Sequence, residues 1–201
     1  MPVAPTTRRA VLAQGAALAA GLALAPPARA QDVAAARALV DQLVANVNAV
    51  IASGQSEDRM IAQFAQIFLA YADAPTIARY SLGADARRAT PDQLARYTAA
   101  FANYLAEKYG RRFREFIGGQ VVVQDARAVP NGIEVTTTAI FQNQAPFRVD
   151  FQVSAASGRL RFFNLIVEGV NMLLSERTEI QAMLDQRGGD LDRLIADLSA
   201  M

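Results

Sequence analysis

Phe147-Arg148-Val149-Asp150-Phe151-Gln152-Val153 alternates strictly between apolar and polar side chains. In an extended chain successive side chains point to opposite faces, so this stretch reads as a strand with one buried and one wet face. Such a strand needs neighbours, and the flanking sequence supplies them. Upstream, residues 121–129 and 133–141 are strand candidates joined by Pro130-Asn131-Gly132, where Asn-Gly tolerates the positive φ that tight hairpins demand. Downstream, Ala155-Ala156-Ser157-Gly158 turns the chain into a fourth strand over 160–167. Consecutive strands linked by short turns form an antiparallel meander.

One face of that meander has to be covered, and helices on either side of it in sequence are the available cover. Residues 32–52 follow the helical period, with Leu39, Val40, Leu43, Val47 and Val50 on one face and Gly54 as a stop. After Ser56 a second stripe runs through Met60, Ile61, Phe64, Ile67, Phe68 and Tyr71. Pro75 opens a short helix that ends before Gly83. Thr90-Pro91-Asp92-Gln93 has the pattern of a capping box, and Leu94, Tyr97, Phe101, Tyr104, Leu105 and Lys108 line the helix it starts. Phe113, Phe116 and Ile117 extend this pattern to Gly118-Gly119. After the strands come two short helices. Ser175 is the expected cap of the first, with Ile180, Met183 and Leu184 inward, and Asp190 caps the second. The expected fold is α+β: helices packed on one face of a curved four-stranded antiparallel sheet.

The first thirty residues read as an address. Arg8-Arg9 precede an apolar run from Ala10 to Ala25, and Ala28-Arg29-Ala30 is a small-x-small cleavage pattern. This is the layout of a secretory signal peptide, and the run falls short of the ~20 residues of a membrane span. Thr7-Arg8-Arg9-Ala10-Val11-Leu12 also resembles a twin-arginine signal, so both the Sec and the Tat route fit. Residues 31–201 are expected to form a single exported domain, located in the periplasm.

Composition excludes several chemistries. The chain has no histidine and no cysteine, which removes the usual neutral-pH proton carrier, thiol nucleophiles and disulfides. No phosphate-binding glycine loop, nucleophile elbow or carboxylate cluster at metal-ligand spacing is found. A net charge of +1 without a long basic stripe argues against nucleic acid as a partner. An enzyme would have to use carboxylates such as Glu134, Asp150 and Glu168, but the alternation puts Glu134 and Asp150 on the solvent face. What remains is a chain that is 52% hydrophobic, with aromatic helices roofing an apolar sheet face. Such an arrangement encloses either a solid core or a lined hollow. A carrier of apolar cargo fits the missing chemistry, with no catalytic residue, cofactor or metal; a protein-binding adaptor with a filled core is the other non-enzymatic reading.

One further stretch adds to this. Asn164-Leu165-Ile166-Val167-Glu168-Gly169-Val170-Asn171-Met172-Leu173-Leu174-Ser175-Glu176-Arg177 stops as a strand at glycine and restarts as an amphipathic segment. Its Val-Glu-Gly-Val step resembles the hallmark of the Mla-type periplasmic phospholipid shuttles, the toluene-tolerance auxiliary family. The Ser81-Leu82-Gly83 step and the Gln93, Tyr97, Phe101, Leu105, Tyr109 helix are similar to that family too. Two positions depart from it: Ala84-Asp85-Ala86 follows Gly83, and Arg161-Phe162 stands in the last strand, where relatives often have tryptophan. The resemblance implies a cone-like carrier of phospholipid as cargo, tails inside and head group near the surface. It implies exchange with an inner-membrane ABC-type lipid transport complex and an outer-membrane lipoprotein–porin complex, and no enzymatic activity. Relatives occur beside hopanoid pathways, so a polycyclic lipid is the alternative cargo, and a cone-shaped α+β enzyme a more distant one.

On this reading the tail-contacting residues are Tyr97, Phe101, Tyr104, Val149, Phe151, Phe162, Ile166, Val170 and Leu173. Arg177 is the candidate for the head-group phosphate or, equally, for an ion pair with Glu168 or Glu176. Gly169 is expected to permit a bend or a positive φ where the strand leaves the sheet. Arg111, Arg112 and Arg114 form the densest basic run, read either as a docking patch or as a solvated helix end.

Overall fold

The computed structural model describes residues 28–111, 116–142 and 144–201, and at 28–31 the backbone alone. Most of the expected signal peptide, together with Arg112, Phe113 and Arg114, lies outside the described residues. Helices α1 (Ala28–Ile51), α2 (Glu57–Tyr71) and α3 (Ala74–Leu82) are followed by a 3₁₀ turn (Asp85–Arg87) and α4 (Pro91–Gly110). Strands β1 (Gln120–Val129), β2 (Gly132–Ile140), β3 (Phe147–Ser154), β4 (Arg161–Val167) and β5 (Val170–Asn171) come next, then α5 (Met172–Gln186) and α6 (Leu191–Ser199). The strands form one antiparallel sheet in chain order.

The fifth strand is the departure from the four-stranded expectation. Val167 pairs with Val170 across Glu168 and Gly169, whose φ angles are 48° and 81°. Positive φ at both central residues is the mark of a hairpin turn whose twist matches its strands. The Glu-Gly step therefore folds β4 back on itself before the helix starts. Two residues are too few to show a period, so the sequence pattern merges β5 with the helix.

Local chemistry explains the boundaries. At α4 the Thr90 side chain accepts from the Gln93 N–H (3.1 Å), and the Thr90 N–H donates to Gln93 Oε1 (3.0 Å), completing the expected capping box. Asp190 caps α6 as expected, accepting from the Arg193 N–H at 3.1 Å. Helix α5 starts earlier than Ser175. Asn171 is its cap, accepting from the Leu174 N–H at 3.0 Å, while the Ser175 hydroxyl donates back to the Asn171 carbonyl. Helix α4 stops at Gly110, where a Cβ would lie 2.7 Å from Ile61 Cγ1 of α2. Of the expected extension, Phe116 stacks on Phe141 at 4.3 Å and packs against a small cluster with Val50, Ile51, Met60 and Phe64, and Ile117 is 51% exposed. The β1–β2 turn is Pro130–Asn131, with Val129 paired to Gly132. Asn131 does not take a positive φ; glycine is needed at 132 because a Cβ there would meet the Val153 carbonyl oxygen at 2.2 Å.

Both sheet edges are covered. Asn48 of α1 donates to the Val121 carbonyl (2.9 Å) and accepts from the Val121 N–H (2.8 Å), imitating a neighbouring strand on β1. Arg37 bonds the carbonyl of Gln124, the extra residue of a β1 bulge. At the other edge the α2–α3 junction bridges Ala72 to Phe162, and the Asp73 N–H donates to the Phe162 carbonyl at 2.8 Å.

The sheet's polar face holds its arginines in solvent but not its acids. Glu134 and Asp150 do lie among Thr136, Thr138, Arg148 and Gln152 in the register, yet each is over 90% buried. Arg127 covers Glu134 (2.6 Å), and Arg148 covers Asp150 (2.8 Å), which also accepts from the Thr136 hydroxyl. The long arginine stems bury both acids under their own ion pairs.

Candidate functional site

The interior between helices and sheet is where the tail-contacting residues were expected. Tyr97, Phe101, Tyr104, Phe151 and Phe162 are buried members of one core cluster that joins α4 to the sheet, and Val149 and Leu173 pack against it half-buried. On α4 the rings stack along the helix face: Tyr97 on Phe101 at 5.5 Å and Phe101 near Tyr104 at 6.3 Å. On the sheet side Phe162 meets Phe151 edge-on at 5.7 Å and Phe68 of α2 at 5.9 Å. Phe68 on Phe162 thus joins α2 to the sheet, while the α4 rings stack among themselves. Two open concavities, of about 590 and about 500 Å³, lie among the helices: one beside Arg79, Arg87 and Leu94, the other, which Tyr104 helps to line, between α2, α4 and the C-terminal residues.

Ile166 and Val170 sit differently. Phe162 pairs with Val153 while Asn164 pairs with Gln152, so Phe163 is an extra residue that shifts the alternation of β4. Leu165 then falls opposite Phe151 and packs against the core, and Ile166 falls opposite Asp150, half-buried. Val170 is 54% exposed. Gly169 has the positive φ its position was expected to allow, with open space around it.

Arg177 pairs with neither Glu168 nor Glu176. Its guanidinium lies over the Tyr80 ring at 5.2 Å and against Gly83, where a Cβ would come within 3.0 Å of Nη2. This accounts for the Ser81-Leu82-Gly83 step. The Ser81 hydroxyl donates to the Ala78 carbonyl and so accepts from the Tyr97 hydroxyl at 2.7 Å. Gln181 donates to the Leu82 carbonyl at 2.8 Å, and Gly83 at φ 56° leaves room for Arg177. The step docks α3 onto both α4 and α5.

The polar groups that sequence reasoning missed join α4 to α5. Lys108 donates to Glu176 Oε1 at 2.9 Å and to Glu179 Oε2; Tyr109 donates to Glu176 Oε1, and Tyr104 to Glu179 Oε1 at 2.5 Å. Burial and the bond to Glu179 push the Tyr104 hydroxyl up to about 12. Burial, with Glu176 beside it, pushes Tyr109 up as well. For Lys108 burial works against the charge, but hydrogen bonds to Glu179 and Glu176 outweigh it, so its pKa is raised. Tyr97 is raised by burial, partly opposed by its bond with Ser81. Asn164 is a second such residue, buried in an apolar strand. It donates to Gln152 Oε1 (3.0 Å) and accepts from the Leu173 N–H (3.0 Å), pinning the first turn of α5 to β4. The available signals were a polar residue inside Phe162-Phe163-Asn164-Leu165 and the chain's single lysine beside Tyr104 and Tyr109. Among the described residues no group of acids is arranged to hold a metal ion.

Comparison with known proteins follows the same outline. A family model described as MlaC protein matches residues 37–200. The toluene tolerance protein ttg2D of Pseudomonas putida is 28% identical over 114 residues, 54% of this chain and 51% of the relative. The chain thus spans about half the length of that curated relative. The structure of a phospholipid-binding protein from Ralstonia solanacearum in complex with a phospholipid is similar at a TM-score of 0.65 and 20% identity, over 82% of this chain and 98% of that one. At that identity the likeness is one of fold.

Proposed function

We propose, on the premise that the chain belongs to the MlaC family, that it is a carrier that takes phospholipid acyl chains between its helices and its sheet. The observation that carries this reading is the continuous apolar cluster spanning both layers, in a fold shared with a phospholipid-binding protein. Lipid tails entering there displace ring contacts worth about 0.5–1.5 kcal/mol each. Two long chains withdrawn from water gain on the order of 20 kcal/mol at about 0.8 kcal/mol per methylene. That gain holds the tails in the carrier against the surrounding water, while exchange with a bilayer, where the tails are equally dry, is close to balance. The protein acts without covalent chemistry: its buried acids Glu134 and Asp150 are held by arginines on the sheet's polar face.

The N-terminal thirty residues act as an export signal, and residues 31–201 work as one domain in the periplasm. Family membership supports exchange with an inner-membrane ABC-type complex and an outer-membrane lipoprotein–porin complex. The test is to purify residues 31–201 from cells, extract with organic solvent and weigh the extract by mass spectrometry. Stoichiometric phospholipid is expected. A polycyclic lipid would change the cargo, and a lipid-free protein that also takes up none from vesicles would end the carrier reading.

A further inference from the structure

The inward stripe of α5 reads Leu173, Glu176, Ile180, Leu184, an acid at a core position. Glu176 is 4% exposed. Its Oε1 receives two hydrogen bonds, from Lys108 and Tyr109, yet its Oε2 is buried without a partner. A buried carboxylate oxygen left without a donor is costly and calls for a partner. The neighbours grade outward from it: the Lys108 side chain is 28% exposed and that of Glu179 43%. The cluster therefore reaches from a buried position on the first turns of α5 to partly exposed side chains. Lys108 spends two of its three N–H donors on the glutamates.

We infer that this α4–α5 cluster is a head-group subsite, in which Glu176 Oε2 accepts a hydrogen bond from an N–H or O–H of a phosphate-bearing lipid and the remaining Lys108 N–H meets its phosphate. The inference rests on the carrier reading and adds a preference to it. A head group that brings a donor completes the buried carboxylate, whereas one that brings only methyl groups leaves it empty-handed and crowded. Two donor chemistries qualify, an ammonium and an alcohol.

The experiment loads purified residues 31–201 from vesicles of phosphatidylethanolamine, phosphatidylglycerol and phosphatidylcholine in equal parts, with identical acyl chains, and weighs what the protein retains. The expected result is at least about fivefold enrichment of the ethanolamine or the glycerol lipid over the choline lipid, which has neither N–H nor O–H in its head group. Whichever is enriched identifies the donor. In Glu176→Gln the enrichment among whatever lipid is retained should fall below about twofold. Equal retention of the three lipids by the wild-type protein overturns the inference, and needs no variant. So does enrichment that persists in Glu176→Gln. Retention of none of them is a different result, because it counts against the carrier reading itself.

Discussion

Glu168 holds the tightest bargain in the chain at residue scale. It is the non-glycine with positive φ among the described residues, a conformation that costs about 1–2 kcal/mol. Its carboxylate accepts the Arg148 N–H, and its own N–H donates to the Arg148 carbonyl at 3.0 Å. Glu168→Ala keeps the strained backbone and loses the acceptor, so it should destabilise by about 1 kcal/mol. Glu168→Gly loses the same acceptor but relieves the strain, and should lie near wild type. Urea denaturation of the two variants checks this; equal midpoints would remove the argument. Gly83→Ala should cost more than Gly169→Ala, although both have positive φ. At 83 the new methyl must push Arg177 off its contact, whereas nothing lies near 169. The sequence announced Gly169 with its reason, a positive φ, but not the room that Gly83 leaves for Arg177. It could not announce that Phe163 is an extra residue, because a bulge leaves no mark on a run that is apolar on both faces; Leu165 consequently takes the place that strict alternation reserves for Ile166.

At the scale of elements, the caps of α4 and α6 were readable; the α5 cap at Asn171, the backbone of the Asn-Gly turn and the tertiary polar contacts were not. Thr90, Asp190 and the alternation of β3 rest on neighbours in sequence, and the structure has them where local chemistry puts them. Lys108 and Glu176 meet across 68 positions, and no local pattern encodes that pairing. Their cluster has a pH consequence. Burial opposes the Glu179 charge, but hydrogen bonds from Lys108 and Tyr104 outweigh it, so its pKa lies below the ordinary 4.5. A lowered carboxylate pKa contributes stability above 4.5 that is lost as pH falls through the folded value. Lys108→Met should therefore melt lower than wild type at about pH 7 and lose less on going to about pH 3. Parallel losses in thermal melts would mean that the α4–α5 link carries no such linkage. Asn48 gives a second element-scale prediction. Asn48→Ala strips two hydrogen bonds from β1, at about 1 kcal/mol each, and bares a sheet edge. Faster amide exchange at Val121 and concentration-dependent self-association are the expected readouts.

For the whole molecule, the meander, its order and its helical cover follow from period and turn residues, and β5 alone was too short to see. Whether the space between the layers holds cargo is a different matter, because a pocket wall and a core share one composition. In the structure the aromatic residues of α4 and of the sheet belong to one buried apolar cluster, so the carrier reading requires that lipid part its members. Val149, half-buried at that boundary, is the place to block entry. Val149→Trp should lower bound phospholipid at least about threefold while leaving the melting temperature within a few degrees. Undiminished lipid would put the tails elsewhere. The most direct measurement uses the absence of tryptophan from the chain. Phe162→Trp places a single reporter between β4 and α2, and phospholipid brominated on its tails is then loaded from vesicles. Strong quenching by tail-brominated lipid, with little from lipid brominated only at the head group, is the predicted result. Retained lipid that leaves the Trp emission unquenched would contradict the claim that tails lie between helices and sheet.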